Sequence, residues 1–397
     1  MPIDKLFAES PESVGIDSAK LEALFERAGQ EVREGLLPSA QIALARNGRL
    51  AGMRTFGSAT SAGRTSPASN ATLYCVFSAT KALISSAAWL LIQEGKLGLD
   101  ERAADAIPEF ASNGKDAVTV EQLFTHTAGF PNAPYPQTEW SSREKRLERF
   151  ARWRLEWEPG TRFVYHATAT MWVIAELIER RSGREYREFV RERIALPLGL
   201  DDLRVGLPAE LDARMADIAH VGDPMTPDQL RALGLPVLPV TEVTEDALDG
   251  FNQRHVRVAG VPGGGGVMTA GDLALFYQAL LSGRAHDGTQ IWKPETLALA
   301  RQIRSGDLTD PVMGKRANRA LGLIISGDAD RNFRGFGHTG SAELFGHNGA
   351  GGQLAWADPA TGISLAYCTN GIDRNHVRQG RRGVGISSRA ASCALDG

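Results

Sequence analysis

The chain has 397 residues, long for a single core, with 43% hydrophobic and 23% charged residues, a composition typical of globular domains. A net charge of −3 without a basic block gives no footing for nucleic acid or an anionic membrane. The start, Met1 to Ser10, shows no basic region followed by an apolar one, and no uncharged apolar run approaches the ~20 residues a bilayer span requires. A cytoplasmic protein with no membrane segment is therefore expected. Cys75, Cys368 and Cys393 form an odd set without metal-like spacing, so reduced thiols are expected. The eight histidines include no His-x-x-x-His pair, and neither a metal site nor a cofactor is predicted.

In chain order, Asp17 reads as the N-cap of a helix whose apolar face carries Leu21, Leu24 and Phe25. Two strand-like runs, Ala40 to Arg46 and Leu50 to Phe56, flank Asn47-Gly48, a strong hairpin signal. A Ser/Thr/Gly/Pro-rich loop through residues 58–70 leads to Ser78-Ala79-Thr80-Lys81. The apolar run from Lys81 to Ile92 then reads as a buried helix, with Gly95 as its C-cap.

Residues three apart share a helix face, which sets Ser78 and Lys81 side by side. A serine hydroxyl becomes a nucleophile only when a base takes its proton, and a lysine serves once burial lowers its pKa. Ser-x-x-Lys recurs at Ser112–Lys115 and Ser142–Lys145, but in polar surroundings that predict a solvated loop or an exposed helix start.

From Leu99 to Leu248 helical signals dominate: Val120 to Phe124, Arg143 to Trp157, Ala169 to Ser182 and Tyr186 to Ile194. Pro197, Pro208, Pro224, Pro227, Pro236 and Pro239 punctuate loops and short helices. Gly263-Gly264-Gly265-Gly266 lacks phosphate-loop spacing and predicts a tight turn with close backbone packing. Strands follow at Leu321 to Ile325, Gln353 to Ala357 and Ile363 to Cys368, then a last helix over Val377 to Ala394. The expected fold is α+β: an antiparallel sheet flanked by helices, built from residues 1–98 and 255–397, with a mainly helical domain, 99–254, inserted. No Gly-x-Ser-x-Gly occurs, so the nucleophile elbow of α/β-hydrolases is absent.

Three further stretches join Ser78–Lys81: Leu123-Phe124-Thr125-His126-Thr127-Ala128-Gly129-Phe130, the segment Trp157 to Ala167, and Phe345-Gly346-His347-Asn348-Gly349-Ala350-Gly351-Gly352. In order and spacing they resemble the serine β-lactamase and penicillin-binding-protein superfamily, in particular class C β-lactamases and family VIII carboxylesterases, over nearly the whole chain. The resemblance implies Ser78 as the acylated nucleophile, Lys81 as its partner, and Tyr165 as the tyrosine that shares general-base and general-acid work. It implies an oxyanion hole from the backbone N–H groups of Ser78 and Ala350, and substrate contacts from His347, Asn348 and Gly349, where β-lactamases carry Lys-Thr-Gly. His338-Thr339-Gly340 is a competing match for that box, and His126 is expected to be structural.

Two departures point away from β-lactams and D-Ala-D-Ala peptides. Ala167 stands where the tyrosine box has Asn, and His347, neutral near pH 7, replaces a fixed positive charge. The expected activity is a serine carboxylesterase acting on small-molecule esters of short to medium acyl chains, with Trp, Phe and Leu side chains of the helical insertion lining the acyl pocket. The alternatives are a β-lactamase, D-amino peptidase or acyltransferase of the same fold, or a non-catalytic penicillin-recognising protein.

Overall fold

The computed structural model describes residues 3–235 and 243–395; Met1, Pro2, Pro236 and Pro239 of the sequence reading lie outside them. Among the described residues the largest sheet has seven antiparallel strands. Their order across the sheet is Ile324–Ile325, Phe345–Gly346, Leu354–Asp358, Ile363–Thr369, Ser39–Arg46, Arg49–Ser61 and Arg64–Pro67. The N-terminal hairpin and the C-terminal strands meet where Ser39–Arg46 pairs with Ile363–Thr369, Ala40 opposite Thr369 and Arg46 opposite Ile363. Asn47 and Gly48 both adopt positive φ, 55° and 73°, the two-residue turn that the Asn-Gly signal predicts.

Both faces of the sheet are covered, which is why its central strands read as apolar runs rather than alternating ones. Ile42, Leu44, Trp356 and Leu365 pack against Leu21, Leu24 and Phe25 of the Ser18–Arg33 helix and Ile386 and Ala390 of the His376–Ala391 helix. Ala43, Ala45, Ala355 and Ala366 face the other way, into the larger core shared with the Ala270–Ser282 and Thr80–Gln93 helices. Each fully buried Leu, Ile or Phe there contributes about 1.5–3 kcal/mol of apolar transfer. Asp17 caps the first helix by accepting from Lys20 N at 3.0 Å.

The Val120–Phe124 and Ala169–Ser182 helices form as the sequence predicts, and Thr119 with Gln122 closes a capping box on the first. Three expectations change. The run from Leu321 to Ile325 keeps only Ile324–Ile325 as strand. The Arg143 helix stops at Arg152, and the helix from Tyr186 turns into a π-helical stretch, Arg191–Ala195. The middle of the chain also holds short strands. Arg204–Val205 joins Gly266–Met268 and Tyr74–Cys75, and Ala219–Val221 runs parallel to Gly371–Asp373. Cys75, Cys368 and Cys393 are buried and unbridged. Among the described residues no helix is long and apolar enough to cross a membrane.

Candidate active site

Ser78 stands on a sharp junction. The Tyr74–Cys75 strand ends, Phe77 takes a left-handed φ of 44°, and a 3-10 turn, Phe77–Ala79, runs into the Thr80–Gln93 helix. A left-handed φ is costly for a side chain of this size, on the order of 1–2 kcal/mol, so neighbours must hold it. Thr80 does part of this: its Oγ1 donates to Phe77 O at 2.5 Å and accepts from Gly266 N at 2.8 Å. The Phe77 ring also meets Phe251 edge to face at 5.3 Å. The bend leaves Ser78 half-buried, lining a cavity, at the start of an otherwise buried helix.

Lys81 is fully buried, and its Nζ reaches Ser78 Oγ at 3.3 Å, Ala167 O at 2.7 Å and Gly263 O at 2.8 Å. All three are oxygen acceptors converging on a lysine Nζ, which can donate to each of them. Ala167, at the departure from the tyrosine box, thus serves Lys81 through its carbonyl. Gly263 packs closely against backbone, as the sequence predicts, and its carbonyl also reaches Lys81. A Cβ there would lie 2.8 Å from Ala167 O and 3.5 Å from Lys81 Nζ, so only glycine brings that carbonyl to the lysine.

Tyr165 lies alongside, with Lys81 Nζ 5.0 Å from its ring centroid and its buried hydroxyl without a hydrogen-bond partner. Its ring rests on His126, 4.7 Å between centroids. His126 has φ 59°, and its Nδ1 accepts from His166 N at 3.3 Å, so the Thr-His-Thr turn props the Tyr165 segment. His166 is locked in turn: its Nδ1 donates to Val164 O at 2.7 Å and its Nε2 accepts from Phe130 N at 3.1 Å. Burial pushes the His166 imidazole down to about 3. Burial, then the positive charge of Arg319, holds His126 well below the usual imidazole range.

The His347 ring sits 6.2 Å from Tyr165. Its Nδ1 donates to Asn348 O at 2.8 Å, and burial, then Arg319 and Lys81, holds it well below the ordinary value, so it is neutral at pH 7. His338 stands elsewhere, its segment bonded to Ser388 of the last helix. Asn348 turns away from the cluster, its Nδ2 donating to Arg334 O at 3.1 Å. Gly349 packs where a Cβ would meet Val76 O at 2.2 Å, which brings the following turn onto the Ser78 junction.

Ser78 and Ala350 both line a cavity of about 470 Å³ whose walls include Phe77, Tyr135, Trp140, Leu248 and Phe251. His347, Asn348 and Gly349 are not among its lining residues, and Asp246 is its one charged wall residue among those described. Tyr135, Trp140, Leu248 and Phe251 come from the middle of the chain. No periodic signal in the sequence singles them out, because they sit on loops and single turns.

The other Ser-x-x-Lys copies separate. Ser142 caps the exposed start of the Arg143–Arg152 helix, as expected. Lys115 is not solvated: it is fully buried, donating to Ser112 O and to Trp153 O at 2.6 Å, with Ser112 Oγ at 3.4 Å. Ser112 Oγ itself donates to Ala151 O at 2.6 Å, so this pair clasps two loops together. The reading as a solvated loop failed because Trp153, 38 positions away, closes over the lysine.

The Beta-lactamase family model matches residues 21–386. The crystal structure of a family VIII carboxylesterase superposes with a TM-score of 0.77 at 28% identity, covering 95% of this chain and 99% of that one. The esterase/beta-lactamase LipL of Mycobacterium tuberculosis is 26% identical over 74% of this chain and 68% of its own length. A putative D-alanyl-D-alanine carboxypeptidase of Escherichia coli K12 is 26% identical over 92% of this chain and 85% of its own. With a match across most of its length, the chain belongs to the Beta-lactamase family of serine hydrolases.

Proposed function

We propose that this protein is a serine carboxylesterase that hydrolyses neutral acyl esters through an acyl-enzyme on Ser78. One observation carries the reading: Lys81 Nζ, 3.3 Å from Ser78 Oγ, stands beside an apolar cavity of about 470 Å³ without a cation on its described walls. A substrate carboxylate would find no counter-charge there, whereas an uncharged acyl chain gains from burial against Phe77, Trp140 and Phe251.

In the proposed sequence Lys81 Nζ holds Ser78 Oγ while the Tyr165 oxygen beside it takes the hydroxyl proton. Ser78 Oγ attacks the ester carbonyl, and the oxygen that gains charge is met by the backbone N–H groups of Ser78 and Ala350, worth ~3 kcal/mol per donor. Tyr165 returns the proton to the leaving alcohol oxygen as its bond to carbon breaks. Water then attacks the acyl carbon, Tyr165 takes a water proton, and Ser78 Oγ departs with it as the free acid is released. Gly349 brings the Ala350 turn close, while His347 and Asn348 shape that turn.

A D-amino peptidase is the second reading, favoured by the carboxypeptidase relative, which spans 92% of this chain. Hydrolysis of p-nitrophenyl acetate, butyrate and octanoate, with nitrocefin and a D-Ala-D-Ala peptide in parallel, separates the two. Ester turnover that disappears in Ser78→Ala, with nitrocefin and peptide rates far lower, is the expected result. Peptide turnover rivalling that of the esters overturns it. Product analysis with added alcohol distinguishes acyl transfer from hydrolysis.

A further inference from the structure

The short helix Glu245–Asp249 contributes to the wall of the cavity beside Ser78 and carries three carboxylates, Glu245, Asp246 and Asp249. Two of them turn to the body of the protein. Glu245 accepts from Arg374 Nε and Nη2, both at 2.8 Å, and Asp249 Oδ1 lies 3.2 Å from His220 Nε2. Asp246 differs: it is exposed, it lines the cavity, and among the described residues its carboxylate has no hydrogen-bond or ion-pair partner. Its backbone is held in place. Thr244 Oγ1 accepts from Ala247 N at 3.1 Å, and Gln137 Nε2, from the cavity wall, donates to Ala247 O at 2.7 Å. Four buried aromatic side chains, Phe77, Tyr135, Trp140 and Phe251, line the same cavity. Phe251 packs edge to face on Phe77 at 5.3 Å and on Trp140 at 5.8 Å, and Trp140 Nε1 donates to Tyr135 O at 2.9 Å. The described wall is thus aromatic where it is buried and carries a single negative charge where it is open to water.

We infer that Asp246 is a specificity-determining residue: the site takes esters whose acyl chain ends in an amino group ahead of chains of equal length that end in a carboxylate. The inference rests on the acyl-enzyme reading and names a substrate class within it. A chain attached to Ser78 lays its methylenes against the rings and keeps a charged far end on the solvent side, where Asp246 stands. A cationic end is attracted by the carboxylate and by the aromatic rings. An anionic end is repelled, and no cation among the described wall residues offsets the repulsion. The chemistry is that of any ester: water adds across the acyl bond to Ser78 and releases the amino acid. An exposed charge pair is worth up to about fivefold in affinity, so attraction of one chain and repulsion of the other multiply to about tenfold.

The test compares p-nitrophenyl 6-aminohexanoate with mono-p-nitrophenyl adipate, chains of the same length and opposite charge at pH 7. Each kcat/KM is corrected for spontaneous hydrolysis and divided by that of p-nitrophenyl hexanoate. Wild type should prefer the amino ester by about tenfold. Asp246→Asn should bring the ratio close to one, and Asp246→Lys should invert it. Because the carboxylate is exposed, raising NaCl from about 20 mM to about 500 mM should shrink the wild-type ratio. Urea unfolding checks that both variants fold. A wild-type ratio at or below one, or a ratio that neither variant changes, overturns the inference. Hexanoate turnover that survives Ser78→Ala defeats the esterase reading itself; Ser78-dependent turnover of all three esters without charge preference removes only the role of Asp246.

Discussion

Acid should destabilise this protein through histidines that the fold keeps neutral. His166 is fully buried, with Nδ1–H committed to Val164 O and Nε2 accepting from Phe130 N, so a proton added at Nε2 would face an N–H donor. Burial holds its pKa at about 3, against 6.5 in the unfolded chain. A group whose folded pKa is depressed in this way contributes stability above the unfolded value and loses it as pH falls through the window, here from 6.5 toward 3. At pH 5, one and a half units into that window, His166 alone removes about 2 kcal/mol. His126 and His347, also held well below their ordinary values, act with the same sign. Against a typical stability of 5–15 kcal/mol, the loss is large.

Urea unfolding followed by tryptophan fluorescence at pH 7 and pH 5 measures it. His166→Gln should be less stable than wild type at pH 7 yet lose about 2 kcal/mol less between the two pH values. A wild-type stability that is flat from pH 7 to 5, or an unchanged slope in the variant, refutes the reasoning.

Three other expectations follow from contacts in and near the site. Gly263→Ala drives a methyl into Ala167 O and displaces a carbonyl from Lys81, so esterase kcat should fall by about two orders of magnitude while urea unfolding changes little. Leu248→Trp fills part of the cavity beside Ser78, so octanoate turnover should drop at least tenfold relative to acetate; equal loss on both esters would count against the cavity as the acyl site. Lys115, pushed down to about 8 by burial, sheds its proton in the folded state before the unfolded chain does at 10.5. Its contribution should therefore rise with pH from 8 to 10.5, and Lys115→Met should remove that rise without affecting ester turnover.

Much of the scaffold was legible because its signals are local. The Asp17 cap, the Asn47-Gly48 turn and the apolar helix behind Ser78 each depend on residues within a few positions. The short strands Tyr74–Cys75, Arg204–Val205 and Ala219–Val221 were not, since two or three residues cannot express a period of two. Ser78 and Lys81 stand out through their spacing and the apolar helix behind them, Tyr165 only through the family resemblance; Lys81 Nζ lies 3.3 Å from Ser78 Oγ and 5.0 Å from the Tyr165 ring centroid. What surrounds them was hidden. Gly263 reads as any turn glycine until its carbonyl is seen on Lys81. Lys115 acquires its place from Trp153 across 38 positions. Such long-range closures leave no periodic mark in a single sequence.

The most direct test of the central claim is acylation itself. Wild type and Ser78→Ala are mixed with p-nitrophenyl butyrate, quenched in acid within the first turnover, digested and analysed by mass spectrometry. The account predicts one butyryl group on the peptide carrying Ser78, accompanied by a burst of p-nitrophenol, and neither in Ser78→Ala. A butyryl group on Ser112 or elsewhere, or turnover that survives in Ser78→Ala, contradicts it.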